Sequence, residues 1–415
     1  MTGASAESAR SGDPGTILMV AQCGAAVSDG VLRIDRKFHT GMLEFARRIP
    51  RRMACLLPRV SFEESAAAMD QIELRLETLP YDVHLVPAPL DGTVATEAID
   101  GAQRRAALVC VGSSIGLAAA AADRCRRAGI RYVVVTEYTL RTELDIMRAT
   151  TPSALRRMVR EFRLRVAHRR KLERIAGALE VHANGYPTYE ELAEVNPRRV
   201  LFLDWRAGAG GILSDAALED RLRERAGRPA RLLFSGRYHP MKGALDVVKA
   251  GVELARGGLD FRLDLYGRGP QNEAMKALVA SAGLHDRICV HDAIPYDPDL
   301  IEAARRADLF LCGHVQGDPS CTYLETFASG VPIVGYANEM WTPLCAASRA
   351  GDVVTTGDFP ALAAGASRLL GDDARLRQAS RNALAFAREN STDRVFDLRS
   401  QRMTELAGAS PAGAG

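Results

Sequence analysis

Arg237 and Lys242 stand close together in the run GRYHPMKG, directly after the apolar stretch RLLFS at Arg231–Ser235. Gly236 permits a tight exit from a strand, and a helical pattern opens at Gly243. Two fixed cations beside a helix N-terminus suit a diphosphate, because the free amides and the dipole there also favour anions. A cation–phosphate pair at ~4 Å contributes on the order of 4 kcal/mol at an effective dielectric of about 20. Taken alone, the loop also fits a plain strand-to-helix turn carrying two solvated charges. A second glycine turn, Gly267-Arg268-Gly269, follows RLDLY at Arg262–Tyr266. Its glycines allow close backbone approach to a ligand, although turns use glycine freely.

The third loop is the most specific. It runs DPSCTYLETFASGVPIVG from Asp318, after the apolar run Leu309–Cys312. A helix is expected to open near Ser320 and to close at Gly330, with unpaired amides around Cys321–Tyr323 pointing into the cleft. Thr322-x-x-Glu325 matches a capping box; a carboxylate there also suits a pair of ribose hydroxyls.

These loops need a frame to hold them. In the first half, Thr16–Gln22, Met53–Leu57, Val83–Val86, Ala107–Gly112 and Arg131–Thr136 are apolar runs separated by helical stretches such as Asp35–Arg48 and Gly116–Ala128. The second half alternates likewise, with Ile288–His291 and Pro332–Gly335 as further strands. Short continuous apolar runs between helices predict strands buried on both faces of a parallel sheet. The fold class is therefore α/β, with two doubly wound, Rossmann-like domains facing a cleft. Ligands of such sheets bind beyond the carboxyl ends of the strands, where the three loops lie.

A chain of 415 residues exceeds one ordinary core. With 54 Lys and Arg against 51 Asp and Glu, the overall charge implies no nucleic-acid partner. The eight cysteines form no C-x-x-C pair, and several sit in apolar runs, which points to a reduced, cytoplasmic protein. The stretches 1–15 and 407–415 read as tails, and no uncharged apolar run is long enough to span a bilayer. No H-x-E or H-E-x-x-H spacing occurs, and no D-x-D follows a strand of the first half, so nothing there suggests a metal.

The three loops, in this order and spacing, resemble the donor domain of retaining GT-B glycosyltransferases of family 4. The resemblance is carried by residues between Arg231 and Leu370, and by the αβ pattern before that. It implies a hexosyltransferase that moves a sugar from a nucleoside-diphosphate sugar to an acceptor hydroxyl, with no cofactor and no essential metal. Arg237 and Lys242 match the pair that holds the pyrophosphate. Glu325 matches the second glutamate of the E-x7-E signature, which binds ribose. Gly236, Gly267 and the Ser320–Thr322 amides match the donor-facing loops. The first signature glutamate falls on Gly317, so either Asp318 takes over its contact with the transferred sugar or the sugar contacts differ; Asp318 is the favoured candidate. A turn-starting Asp before Pro319 is the plainer alternative. The implied layout is an acceptor domain at 16–225, a donor domain at 229–385, and a C-terminal helix at 386–406 that crosses back onto the first domain.

On the acceptor side, Gly24 lies in the loop Cys23–Gly30 and Glu137 follows the strand RYVVVT, where many family members place a histidine. Arg33 and Arg36 are nearby cations, more in keeping with a solvated helix start. Arg156–Arg174 holds nine Lys and Arg against two Glu, with Leu155, Val159, Phe162 and Val166 at helical spacing. That pattern fits either a domain helix with a buried stripe or peripheral contact with the inner membrane face, suited to a lipid-linked acceptor. Sugar and small-molecule acceptors fit equally, in surface polysaccharide, glycolipid or glycoconjugate synthesis. The missing glutamate and histidine leave a second class open: a non-catalytic GT-B subunit that binds nucleotide or a partner glycosyltransferase. Epimerase and phosphorylase signatures are absent.

Overall fold

The computed structural model describes residues 15–66, 70–87, 101–112, 116–151, 153–205 and 209–408. Two parallel sheets form the two lobes. The first has seven strands, in spatial order Arg199–Phe202, Glu180–Asn184, Tyr132–Thr136, Ala106–Gly112, Thr16–Val20, Met53–Arg59 and Asp82–Pro87. The second has six, in the order Ile288–His291, Phe261–Tyr266, Ala230–Ser235, Leu309–Cys312, Ile333–Tyr336 and Gly351–Val354. Burial follows from helices on both faces. Leu18, Val20 and Val109 pack into one cluster, while Ile17, Cys110 and Leu108 pack into another on the opposite side. The doubly wound α/β expectation holds for both lobes.

In the second sheet the strand order reverses between Ala230–Ser235 and Leu309–Cys312. Connections leave these neighbouring strands toward opposite sides and open a crevice at their carboxyl ends. The loops carrying Lys242 and Asp318 leave from those two strands.

Four expectations are corrected. The segment after the first strand is not an open loop: Ala26–Ser28 and Val31–Asp35 form an antiparallel hairpin that continues onto Gln71–Arg75. Its turn is Asp29-Gly30, both at positive φ, the Asp-Gly signal for a two-residue hairpin. The first domain ends before 225. Leu203 and Trp205 already pack in the second lobe's core, and Leu218 and Leu222 pack on Leu384. The return crossing is also later than 386. Helix Asp373–Glu389 packs on the second lobe, and only helix Thr392–Gly408 lies on the first, with Met403 and Ala407 in its core. Ala407 and Gly408 are thus helical, while 1–14 and 409–415, expected as tails, lie outside the described residues.

The two crossings touch. Trp205 Nε1 donates to Asn390 O at 2.9 Å. Arg399, buried between Phe45 and Phe202, fixes the returning helix to the first lobe, and Arg402 pairs with buried Glu180. Among the described residues no helix is long and apolar enough to cross a membrane.

The fourth correction concerns helix Ala154–Ala176. Ser153 caps it by accepting from the Arg156 amide. Its apolar stripe does not enter the core: Leu155, Met158, Val159, Phe162 and Val166 are all exposed, and only Lys171 and Ile175 are buried.

Candidate functional site

Lys242 ends a short 3-10 turn, Pro240–Lys242, which His239 caps by accepting from the Met241 amide. Gly243 follows in the left-handed region at φ 60° and serves as the N-cap of helix Ala244–Arg256. No side chain fits there, because a Cβ would lie 1.9 Å from Gly313 O. This contact binds the Lys242 loop to the loop after Leu309–Cys312. The Lys242 ammonium, almost fully buried, reaches across and donates to both Asp318 oxygens at 2.8 Å. The structure thus brings Lys242 and Asp318 together at the crevice.

Arg237 lies at the exposed mouth of the same loop. Its charge and that of Lys242 both act on His314, whose fully buried ring is held well below the usual histidine range, by burial first and then by these two cations. Arg237 also faces Tyr138 of the first lobe. That phenol is pushed up to about 12, by desolvation first and then by Glu137 and Asp318, with Arg237 acting the other way.

Glu137 sits on the facing lobe. Desolvation raises its carboxyl above the usual range; Lys37 opposes the shift, while Asp204 and Asp318 reinforce it. Lys37 pairs with Asp204 at 2.5 Å. Burial works against its charge, but Asp204 and then Cys321 and Glu137 outweigh it and raise the ammonium's pKa. The crevice is therefore lined by Arg237, Lys242 and Lys37 among the carboxylates Asp318, Glu137 and Asp204. Lys37 and Asp204 were not anticipated. A signal existed in the run Arg33-x-x-Arg36-Lys37, but Arg33 is spent on Glu73 and Phe62, and Arg36 on Asp70. Only the third cation of that run turns to the cleft.

Other expected residues take different parts. Gly236 and Gly267 serve loop-to-loop packing: a Cβ on Gly267 would meet Gly236 O at 2.0 Å. Gly24 makes room for Val60, whose methyl would lie 2.7 Å from a Cβ there. The Tyr323 amide donates to Ser320 O at 3.3 Å and the Ser320 amide to Asp318 O at 2.8 Å, so neither stands unpaired toward the cleft. Helix Thr322–Ala328 has Cys321 as its N-cap, with no side-chain cap bond, so Thr322 and Glu325 form no capping box. Glu325 lies half-buried in its first turn.

Gly317 has a reason of its own. A Cβ there would stand 2.8 Å from Glu339 Cβ and 3.3 Å from Glu339 Oε2. The Glu339 carboxylate thus borders the space that a Gly317 side chain would enter. It also bridges the lobes, accepting from Arg141 at 3.1 Å and from Thr139 at 3.4 Å. Sequence reading missed Glu339 because it lies outside the three loops. A group with metal-ligating side chains among the described residues, Asp264, Cys289 and His291, lies on the strands Phe261–Tyr266 and Ile288–His291. Arg262 leans on both Asp264 and Cys289, and His291 bonds to Asp264 at 2.7 Å.

Two parallel α/β lobes with a crevice of paired charges between them define the GT-B architecture. Residues 219–386 match the family Glycosyl transferases group 1, so the second lobe is a glycosyltransferase domain. A 2-deoxystreptamine glucosyltransferase of Streptomyces kanamyceticus is 33% identical over 121 residues, which cover 28% of this chain and 31% of that protein. An exopolysaccharide phosphotransferase of Streptomyces coelicolor is 30% identical over 150 residues, 35% of this chain and 15% of that one. The match thus spans less than a third of either curated relative. Among solved structures, a sucrose-phosphate synthase from Thermosynechococcus elongatus superposes with a TM-score of 0.64 at 15% identity, covering 94% of this chain and 98% of the other. Anabaena HepE, solved with UDP, gives 0.64 at 13% identity, covering 94% and 99%. These neighbours share the fold along nearly the whole chain.

Proposed function

We propose that the chain is a retaining glycosyltransferase of family 4 that moves a sugar from a nucleoside-diphosphate sugar to an acceptor hydroxyl. The observation that carries this reading is the meeting of Lys242 and Asp318 at the reversal of strand order, with Arg237 exposed on the same loop as Lys242. Lys242 and Arg237 would hold the diphosphate, Glu325 the ribose, and Asp318 the transferred sugar. The acceptor oxygen bonds to the anomeric carbon as the carbon–oxygen bond to the β-phosphate breaks. The departing diphosphate takes the acceptor's proton. Fixed cations lower the barrier by stabilising charge as it develops on that leaving group. They supply positive charge without a divalent ion, so turnover should persist in EDTA. No cofactor enters the scheme.

HepE, also solved with UDP-glucose, and the glucosyltransferase relative support a UDP-sugar donor. Glu137 faces the crevice from the first lobe and is assigned to the acceptor side. We assign the acceptor to the sugars, lipid-linked intermediates or small molecules of surface polysaccharide, glycolipid or glycoconjugate synthesis, and the reaction to the cytoplasm. A thermal-shift panel of UDP, GDP, ADP and dTDP, followed by diphosphate release from the matching sugar nucleotide, tests the proposal. Stabilisation by one nucleotide with acceptor-dependent release supports it; no stabilisation by any sinks it. The absence of a carboxylate at Gly317 favours a second reading, a non-catalytic subunit. Nucleotide binding without donor turnover would select that one.

A further inference from the structure

Helix Ala154–Ala176 carries a surface that sugar transfer does not use. Successive residues turn by about 100°, so Leu155, Met158, Val159, Phe162 and Val166 fall within an arc of about 100°. All five are exposed, by 40% to 69%. Leu164, His168, Lys171 and Ile175, the residues turned toward the lobe, lie on the opposite side. The apolar row therefore points straight away from the protein. Exposed arginines flank it on both sides, Arg163 and Arg170 along one edge, Arg165 and Arg169 along the other. Near the helix start, a groove of about 650 Å³ opens between Leu155 and Val159, rimmed by Arg156, Arg160 and Arg163.

An outward apolar row between two cationic edges is the layout of a helix lying in a bilayer interface, its apolar side at the acyl boundary and its cations among lipid phosphates. We propose that this face docks the protein onto an anionic lipid surface, with Leu155, Met158 and Phe162 entering the boundary. Two alternatives fit less well. A second copy would bring together two faces that are each edged by the exposed Arg163, Arg165, Arg169 and Arg170, and like charges repel. A nucleic acid would use the arginines but leave Phe162 and Leu155 in water. The proposal does not depend on the donor site, so the two can fail separately.

The test is flotation of the full chain with vesicles of phosphatidylcholine alone or mixed equally with phosphatidylglycerol, at low and high salt, without donor. Binding to the mixed vesicles, weakened by salt and by omission of the anionic lipid, is expected. Leu155→Asp with Phe162→Asp should lower partitioning roughly tenfold or more. Arg163→Glu with Arg170→Glu should erase the preference for anionic lipid. Both pairs are exposed, so melting temperature and nucleotide binding should be unchanged. Failure to bind mixed vesicles would overturn the proposal, as would equal binding by the wild type and both variants. A dimer in sedimentation that disperses with Phe162→Asp, without vesicle binding, would assign the face to a second copy instead.

Discussion

Lys242 Nζ stands 2.8 Å from each carboxylate oxygen of Asp318, and both side chains are largely sheltered from water. A cation expected to meet a diphosphate is thus already neutralised by a carboxylate of the neighbouring loop. Breaking one partner of such a pair leaves the other charged and uncompensated, at a cost of about 3–5 kcal/mol when burial is deep.

Lys242→Ala should therefore act twice. Donor turnover should fall by about 10²–10³-fold, as when one preorganised oxyanion donor is lost. Stability should also fall in chemical denaturation. Adding Asp318→Ala should restore much of the stability and none of the turnover. Near-wild-type turnover in Lys242→Ala would remove the site assignment.

Asp318→Asn separates binding from chemistry. Without the carboxylate, Lys242 no longer exchanges one anion for another when nucleotide arrives. Calorimetry should show tighter binding of the nucleoside diphosphate, while transfer slows. Weaker nucleotide binding would mean that Asp318 positions Lys242 more than it competes for it.

Gly317→Ala should be destabilising by about 1–3 kcal/mol, because the new methyl overpacks against Glu339. The displaced Glu339 would also release Arg141 and Thr139 of the opposite lobe. Glu339→Gly in the same chain should recover most of the melting temperature. An unchanged melting point in the single variant would contradict this account.

His314 predicts an acid sensitivity. Its folded pKa lies below the free value of 6.5, so the unfolded chain binds more protons between the two values. Stability is full above 6.5 and declines as pH falls through that window, by about 1.4 kcal/mol per pH unit for each proton taken up. His314→Gln should flatten that slope in denaturation curves below pH 6.5, whatever its effect at neutral pH.

The bond from Trp205 Nε1 to Asn390 O ties the two inter-lobe crossings together. Trp205→Phe should cost about 1 kcal/mol, the net worth of an ordinary hydrogen bond. Small-angle scattering should then show a wider spread of lobe separations.

Five strands of each sheet, the strand ends at Ser235 and Cys312, and the order of the three loops are legible in the amino-acid sequence; Glu180–Asn184, Arg199–Phe202 and Gly351–Val354 are not among the runs it declares. Apolar runs between helices declare parallel strands directly, and Arg237, Lys242 and Asp318 are polar residues placed where such strands end. Local pattern also hid things it contained. The Asp29-Gly30 turn marks a hairpin within what otherwise has the composition of a loop.

Tertiary structure alone decided what those residues meet. Lys242 and Asp318 are brought together because strand order reverses between the strands that carry them, a relation between elements far apart in the chain. Glu339 borders Gly317 for the same kind of reason, and the glycines at 243 and 313 matter because two backbones touch there. Helical spacing in Leu155–Val166 specifies one apolar face but not its direction. Whether that face meets a core or water depends on which side of the helix the rest of the lobe covers.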